Sequence, residues 1–228
     1  MYESLAKQHK ASVLSRSEVV NTTTTEGFGS VYEMLNLKLV EDRRTLHSIQ
    51  SILGKIAKKA ELLPHYDDWI NATLSTGTGK PDPLLTTLML WHIDVGNFER
   101  GLDIADYALK HGLTMPDHHQ RTLATVIAEE VADTAKRLML AEQPFDEGQV
   151  LRASTMTADQ DVPDQVRAKL AKIIGELTKD DDPETALASY KMALQHDAKS
   201  GVKGSIKRLE KQLNQTSDDD DSESETMS

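Results

Sequence analysis

Residues 31–63 read VYEMLNLKLVEDRRTLHSIQSILGKIAKKAELL, and this stretch decides the fold class. Counting heptads from Tyr32 sets Tyr32, Leu35, Leu39, Asp42, Leu46, Ile49, Leu53, Ile56, Ala60 and Leu63 on one seam; eight of these ten are large apolar or aromatic. Apolar residues spaced alternately three and four apart predict a helix with one greasy edge, and over four heptads a coiled-coil-like one. Asp42 is the one acid on that seam and a candidate for fixing register. Pro64 predicts the end of the run, because the residue before a proline disfavours helix. Two readings of the edge stay open: packing on the chain's own domain, or joining copies of the chain through Leu39, Leu46, Ile49, Leu53 and Ile56.

The same stretch carries Arg43, Arg44, Lys55, Lys58 and Lys59 and no acid between Arg43 and Ala60. On a helix at 100° per residue, Arg44, Ser48, Ser51, Lys55 and Lys59 fall within about 80° of one another, with Lys58 beside them, roughly opposite the apolar seam. Such a stripe is either an ordinary solvated face or a candidate contact for DNA phosphates.

Working outward, residues 1–30 predict a flexible arm. It holds a short amphipathic stretch (Leu5, Ala6, His9, Val13), a second basic group (Lys7, Lys10, Arg16) and the Thr-rich linker NTTTTEGFGS. Residues 31–64 form the long helix, 65–160 a central helical domain, 161–215 C-terminal helical hairpins, and 216–228 a disordered acidic tail. Within 65–160, Asp82-Pro83 predicts a capped helix start. Phe98, Leu102, Ala105 and Leu109 share a face ahead of a stop at Gly112, and Leu123, Val126, Ile127, Val131 and Leu138 share another. DQVRAKLAKIIGELT and the segment after Asp182-Pro183 predict a hairpin, and Val202, Ile206, Leu209 and Leu213 line a further helix. Ala186, Tyr190 and Ala193 have the small-aromatic-small spacing of a tetratricopeptide second helix, echoed by Gly101, Ala105 and Ala108. No strand is predicted. The expected fold is all-α.

Composition narrows the chemistry. Of 37 acids, six lie in the last twelve residues, which leaves 31 against 26 bases, so the net charge of −11 is concentrated at one end. Any contact with nucleic acid must be local. There is no cysteine, hence no disulfide or thiolate site. No apolar run is long enough to span a membrane. STGTGKPD (residues 75–82) lacks the glycine spacing and the Ser/Thr of a phosphate loop and reads as a polar turn. Asp67/Asp68, Asp103/Asp106 and Glu129/Glu130 are the candidate carboxylates for a two-metal nuclease, but adjacent acids point to different helix faces and Asp103/Asp106 reads more simply as a solvated i,i+3 pair. Asp117-His118-His119 is a weak metal candidate. Trp69 and Trp91 read as core. No nucleophilic triad and no helix-turn-helix is legible, and no cofactor or metal is expected.

LVEDRRTLHSI, KKAELLPHYDDWI, MLWHIDVGNFERGLDIADYALKHGLTMPDHHQRT, AEEVADTA, DVPDQVRAKLAKIIG and GVKGSIKRLEKQL together resemble the small terminase subunits of temperate contractile-tailed phages. The resemblance covers about three quarters of the chain. It implies a ring-forming homo-oligomer in the cytoplasm of an infected bacterium. Such a protein binds double-stranded viral DNA at the packaging site and recruits a large subunit carrying ATPase and nuclease. The chain departs from the family pattern at both ends, with a less basic N-terminus and an acidic tail (DDDDSESE) where relatives often carry a basic one. The rivals are a tetratricopeptide-like adaptor that never touches DNA and an endonuclease in its own right.

Overall fold

The computed structural model describes residues 31–116 and 121–225, with side chains through residue 215. The arm of residues 1–30, with Lys7, Lys10 and Arg16, and the Asp117-His118-His119 group lie outside the described residues. Every regular element among the described residues is helical. The fold is all-α, as the sequence predicts.

The predicted single helix of residues 31–63 is two helices, which corrects the sequence reading. Helix α1 covers 31–48, residues 49–51 are non-helical, and α2 is Ile52–Leu62. The cause is local. The Ser48 hydroxyl bonds to the Thr45 carbonyl at 2.7 Å, and the Ile49 amide reaches only to Leu46 at 3.3 Å. The last turn therefore tightens and the ladder stops. Ser51 then stands at the position before α2, where a hydroxyl residue favours a helix start. The heptad pattern runs through the break because apolar spacing reports which side chains seek burial and is silent about backbone continuity. The chain divides at the same place: one compact unit ends at Ile52 and the other begins at Leu53.

In the second unit, α2 passes through a short 3-10 turn (Leu63–Tyr66) that contains Pro64 into α3 (Asp67–Thr76). Then come α4 (Pro83–Asp94), α5 (Phe98–Lys110), α6 (Leu123–Leu140), α7 (Gly148–Thr157), α8 (Asp164–Thr178), α9 (Pro183–His196) and α10 (Lys203–Glu225). Consecutive helices pair as hairpins (α4/α5, α6/α7, α8/α9), and each hairpin packs on the next through α4–α6–α8 and α5–α7. The result is a short stack of hairpins, one more degree of order than the motif spacing predicts. It runs without interruption across the expected division at 160/161.

Asp82 and Asp182 both act as predicted, each accepting from the backbone N–H three residues on at 3.0 Å. Helix α4 is buried on nearly every side, from Leu84 to Ile93, as befits an apolar helix at the start of the stack. The echoed motifs fall in equivalent places: Gly101, Ala105 and Ala108 are buried on α5, and Ala186, Tyr190 and Ala193 on α9. At Gly175 of α8 an added Cβ would meet the Tyr190 ring at 2.7 Å, so the hairpin closes on a residue without a side chain. Gly112, at φ +63°, is the left-handed stop predicted for α5.

Two further expectations change. Helix α7 was not legible: it has glycine first and several hydroxyl residues, and packing on α5 and α6 holds it. The tail expected to be disordered from residue 216 is instead helical as far as Glu225. No Gly or Pro follows Gly204 to stop the helix, so α10 propagates past the part that packs.

Candidate nucleic-acid interface

The five predicted cations occupy different situations. Arg43 and Arg44 are exposed on α1; Lys55, Lys58 and Lys59 lie on α2 and are half-buried. The break at 49–51 removes the continuous helix on which a single stripe depended. What survives is a pair of arginines on α1, and Lys55 and Lys59 one turn apart on α2. Arg44 reaches Glu41 at 3.3 Å and Lys58 reaches Glu61 at 2.8 Å, both within their own helices.

Lys59 is engaged more deeply. Its ammonium pairs with the Asp94 carboxylate on α4, while Arg137 of α6 donates to the Asp94 carbonyl at 2.6 Å. Nearby, Lys169 of α8 pairs with Asp133 of α6 at 2.6 Å. Burial pushes the Glu130 carboxyl above its usual range; Asp94 and Asp133 add to that, and Lys59 and Lys169 oppose it. Lys59 thus ties α2 to the charge cluster between α4, α6 and α8. Lys55 forms no ion pair with a described residue.

The apolar seam is likewise divided. Leu39 (4% exposed) and Leu46 (7%) are buried in a single copy of the chain, Ile49 and Ile56 are half-buried, and Leu53 is 68% exposed. Asp42, the candidate register residue, is buried and satisfied by Lys38 one turn before it, at 2.7 Å. A second apolar row, invisible to the heptad count, winds about half-way round α1 through Val31, Met34, Leu37 and Val40. All four are exposed, Leu37 at 74%. Spacing at every third residue was the signal that could have found it.

The remaining candidates resolve into ordinary structure. In the 75–82 turn, the Gly79 amide donates to the Tyr107 hydroxyl at 2.8 Å and is therefore engaged within the chain. Trp91 is core, while Trp69 is half-buried and donates its indole N–H to Asp82 at 2.9 Å. Asp67 and Asp103 do line one hollow, of about 620 Å³, with Asn71, His92, Glu99 and Arg100. Asp103, however, is held by Arg152 at 2.9 Å, and Asp106 by Lys110 at 2.6 Å. Glu129 pairs with Arg121. Among the described residues no three His, Cys, Asp or Glu side chains are grouped to hold a metal ion. His92 is buried and neutral: burial lowers its pKa to about 4, Arg100 adds to the effect, and Asp67 opposes it.

The described residues thus form an all-helical hairpin stack, preceded in the chain by a helix that carries exposed apolar and basic side chains. Comparison with known proteins specifies the kind of protein. A sequence profile described as phage small terminase subunit matches residues 36–165, more than half of the chain. The "Terminase, endonuclease subunit" of Escherichia phage P2 is 45% identical over 185 residues, covering 81% of this chain and 75% of that protein. The "Probable terminase, endonuclease subunit" of Haemophilus phage HP1 (strain HP1c1) is 23% identical over 201 residues, covering 82% and 72%. No solved structure matches. The chain belongs to the phage small terminase subunit family, and its role is in phage DNA packaging. Among the described residues no helix is long and apolar enough to cross a membrane.

Proposed function

We propose that this chain recognises double-stranded viral DNA at the packaging site as a ring-like homo-oligomer and recruits the large terminase subunit, which supplies ATPase and nuclease, in the cytoplasm of the infected host. The observation that carries the reading is the exposure of apolar side chains along residues 31–59. Val31, Met34, Leu37, Val40, Ile52 and Leu53 remain exposed in a single copy, in the same segment as the cations Arg43, Arg44 and Lys55. The first four recur at every third residue of α1, each neighbouring the next in a row that winds about half-way round the helix, and exposed apolar side chains in such a run mark a surface meant for a partner. A symmetric assembly would bury them and repeat the cations once per subunit.

In this reading Leu53 and Ile56, with the Met34–Leu37 line, join the copies. Leu39, Leu46 and Ile49 shape the helices that present them. Arg43, Arg44 and Lys55 meet phosphate; Lys58 contributes after leaving Glu61, and Lys59 chiefly holds α2 in place. No side chain is assigned a catalytic role. Native mass spectrometry together with duplex-DNA gel shifts across a salt series tests the reading. An oligomer with salt-sensitive binding is expected. A monomer at micromolar concentration that ignores DNA would leave the adaptor reading in its place, and metal-dependent nicking by the purified chain would favour the endonuclease reading.

A further inference from the structure

We infer that the first half of α10 is a second DNA-phosphate contact, formed by Lys203, Lys207 and Lys211 with Arg208 at its margin. This rests on the proposed DNA-binding role and locates a part of it that lies some 140 residues from the basic group of α1 and α2.

The geometry comes from helical spacing. Lys203, Lys207 and Lys211 are each four residues apart and so lie within about 80° on one face. Ile206, Leu209 and Leu213 point about 130° away from that face's centre, and Leu209 and Val202 are buried with Ala186, Tyr190 and Ala193 of α9. Burial of the apolar side therefore forces the lysines outward, and all three are exposed.

Their charge is uncompensated. None of the three forms an ion pair with a described residue, in contrast to Arg44, Lys58 and Lys59. The one acid among them, Glu210, is turned to Lys191 of α9 at 2.8 Å. Arg208 bonds to the Ser205 hydroxyl, at 3.4 Å. In a chain of net charge −11, this is a local positive surface that needs to break no salt bridge before meeting phosphate.

Helix stability does not account for the pattern. The macrodipole favours acids in the first turn and cations in the last. Helix α10 begins with Lys203, has no acid in its first turn, and ends in DDDDSESE. Both ends are charged against the dipole. An arrangement that costs the helix at each end is better explained by a partner that draws the cations to one half and is repelled by the other. A duplex is such a partner, and it would cross the basic half rather than run along the helix.

The test uses the full-length protein and a labelled duplex, with affinity measured by fluorescence anisotropy over a salt series. K203Q/K207Q/K211Q is expected to bind more weakly, with a log–log salt slope shallower by about 0.9 for each phosphate no longer neutralised, or about 2.7 if all three lysines engage one. Its helical circular dichroism should be unchanged. K203R/K207R/K211R should retain the wild-type slope. Wild-type affinity and slope in the glutamine variant would overturn the inference; if R43Q/R44Q/K55Q is then weakened, the functional reading stands without it. If the wild-type protein shows no salt-sensitive duplex binding, the functional reading fails and takes this one with it.

Discussion

At the scale of single residues, neighbouring side chains of one type have been given different work. Lys59 and Lys55 lie one turn apart on α2, yet only Lys59 reaches across to Asp94. Lys59→Gln should cost about 1–2 kcal/mol of stability, between the ranges for exposed and buried ion pairs. Lys55→Gln should leave the melting temperature unchanged and weaken DNA binding; calorimetry and gel shifts on both variants separate the roles. His92 offers a pH handle. Its pKa is lowered to about 4 by burial, against about 6.5 in an unfolded chain. Below 6.5 the unfolded state takes up a proton that the folded state refuses. This contribution to stability is present above pH 6.5 and lost as pH falls towards 4, by up to roughly 3 kcal/mol. Asp82 and Glu130, raised chiefly by burial, work in the opposite sense over the acid end of that range. His92→Gln should flatten the stability profile between pH 6.5 and 4, read from urea melts at successive pH values.

At the scale of elements, much was legible because local signals agreed with packing. The helix predicted for DQVRAKLAKIIGELT is α8 residue for residue, Asp164–Thr178. The two Asp-Pro starts both cap as expected, but their surroundings differ. Asp82 is buried, and it also accepts the Trp69 indole N–H. The exposed Asp182 carboxyl is held below its usual range by hydrogen bonds from Thr185. Asp82→Ala should therefore cost roughly 1–3 kcal/mol, since it strips a cap and strands a buried donor. Asp182→Ala should cost visibly less in the same denaturant titration. What stayed illegible was of two kinds. The break after Ser48 depends on one hydroxyl competing for a backbone carbonyl, which apolar periodicity cannot register. Helix α7 depends on neighbours that only the folded chain supplies. For the candidate interface, the sequence located the residue types but not their partners, and it is the partners that distinguish Lys59 from Lys55.

At the scale of the whole molecule, charge is sorted by position rather than spread evenly. The acidic run Asp218–Asp221 with Glu223 and Glu225 begins seven residues after Lys211, on the same helix as the lysines of α10. Converting Asp218, Asp219, Asp220 and Asp221 to Asn should raise affinity for duplex DNA at low salt, and the gain should shrink as salt screens the repulsion. Fluorescence anisotropy at two ionic strengths reads this directly, and equal affinities would remove the acidic run from any part in DNA recognition. The stacking of hairpins has its own bearing on how the protein comes apart. Because α8/α9 packs on α6/α7 rather than on α4/α5, opening can begin at the far end and travel inward without a single all-or-none event. Amide hydrogens of α10 should exchange with solvent first, those of α9 next, and those of α4 last. The part of the protein proposed to meet DNA through Lys203, Lys207 and Lys211 would then be the part that binding protects most.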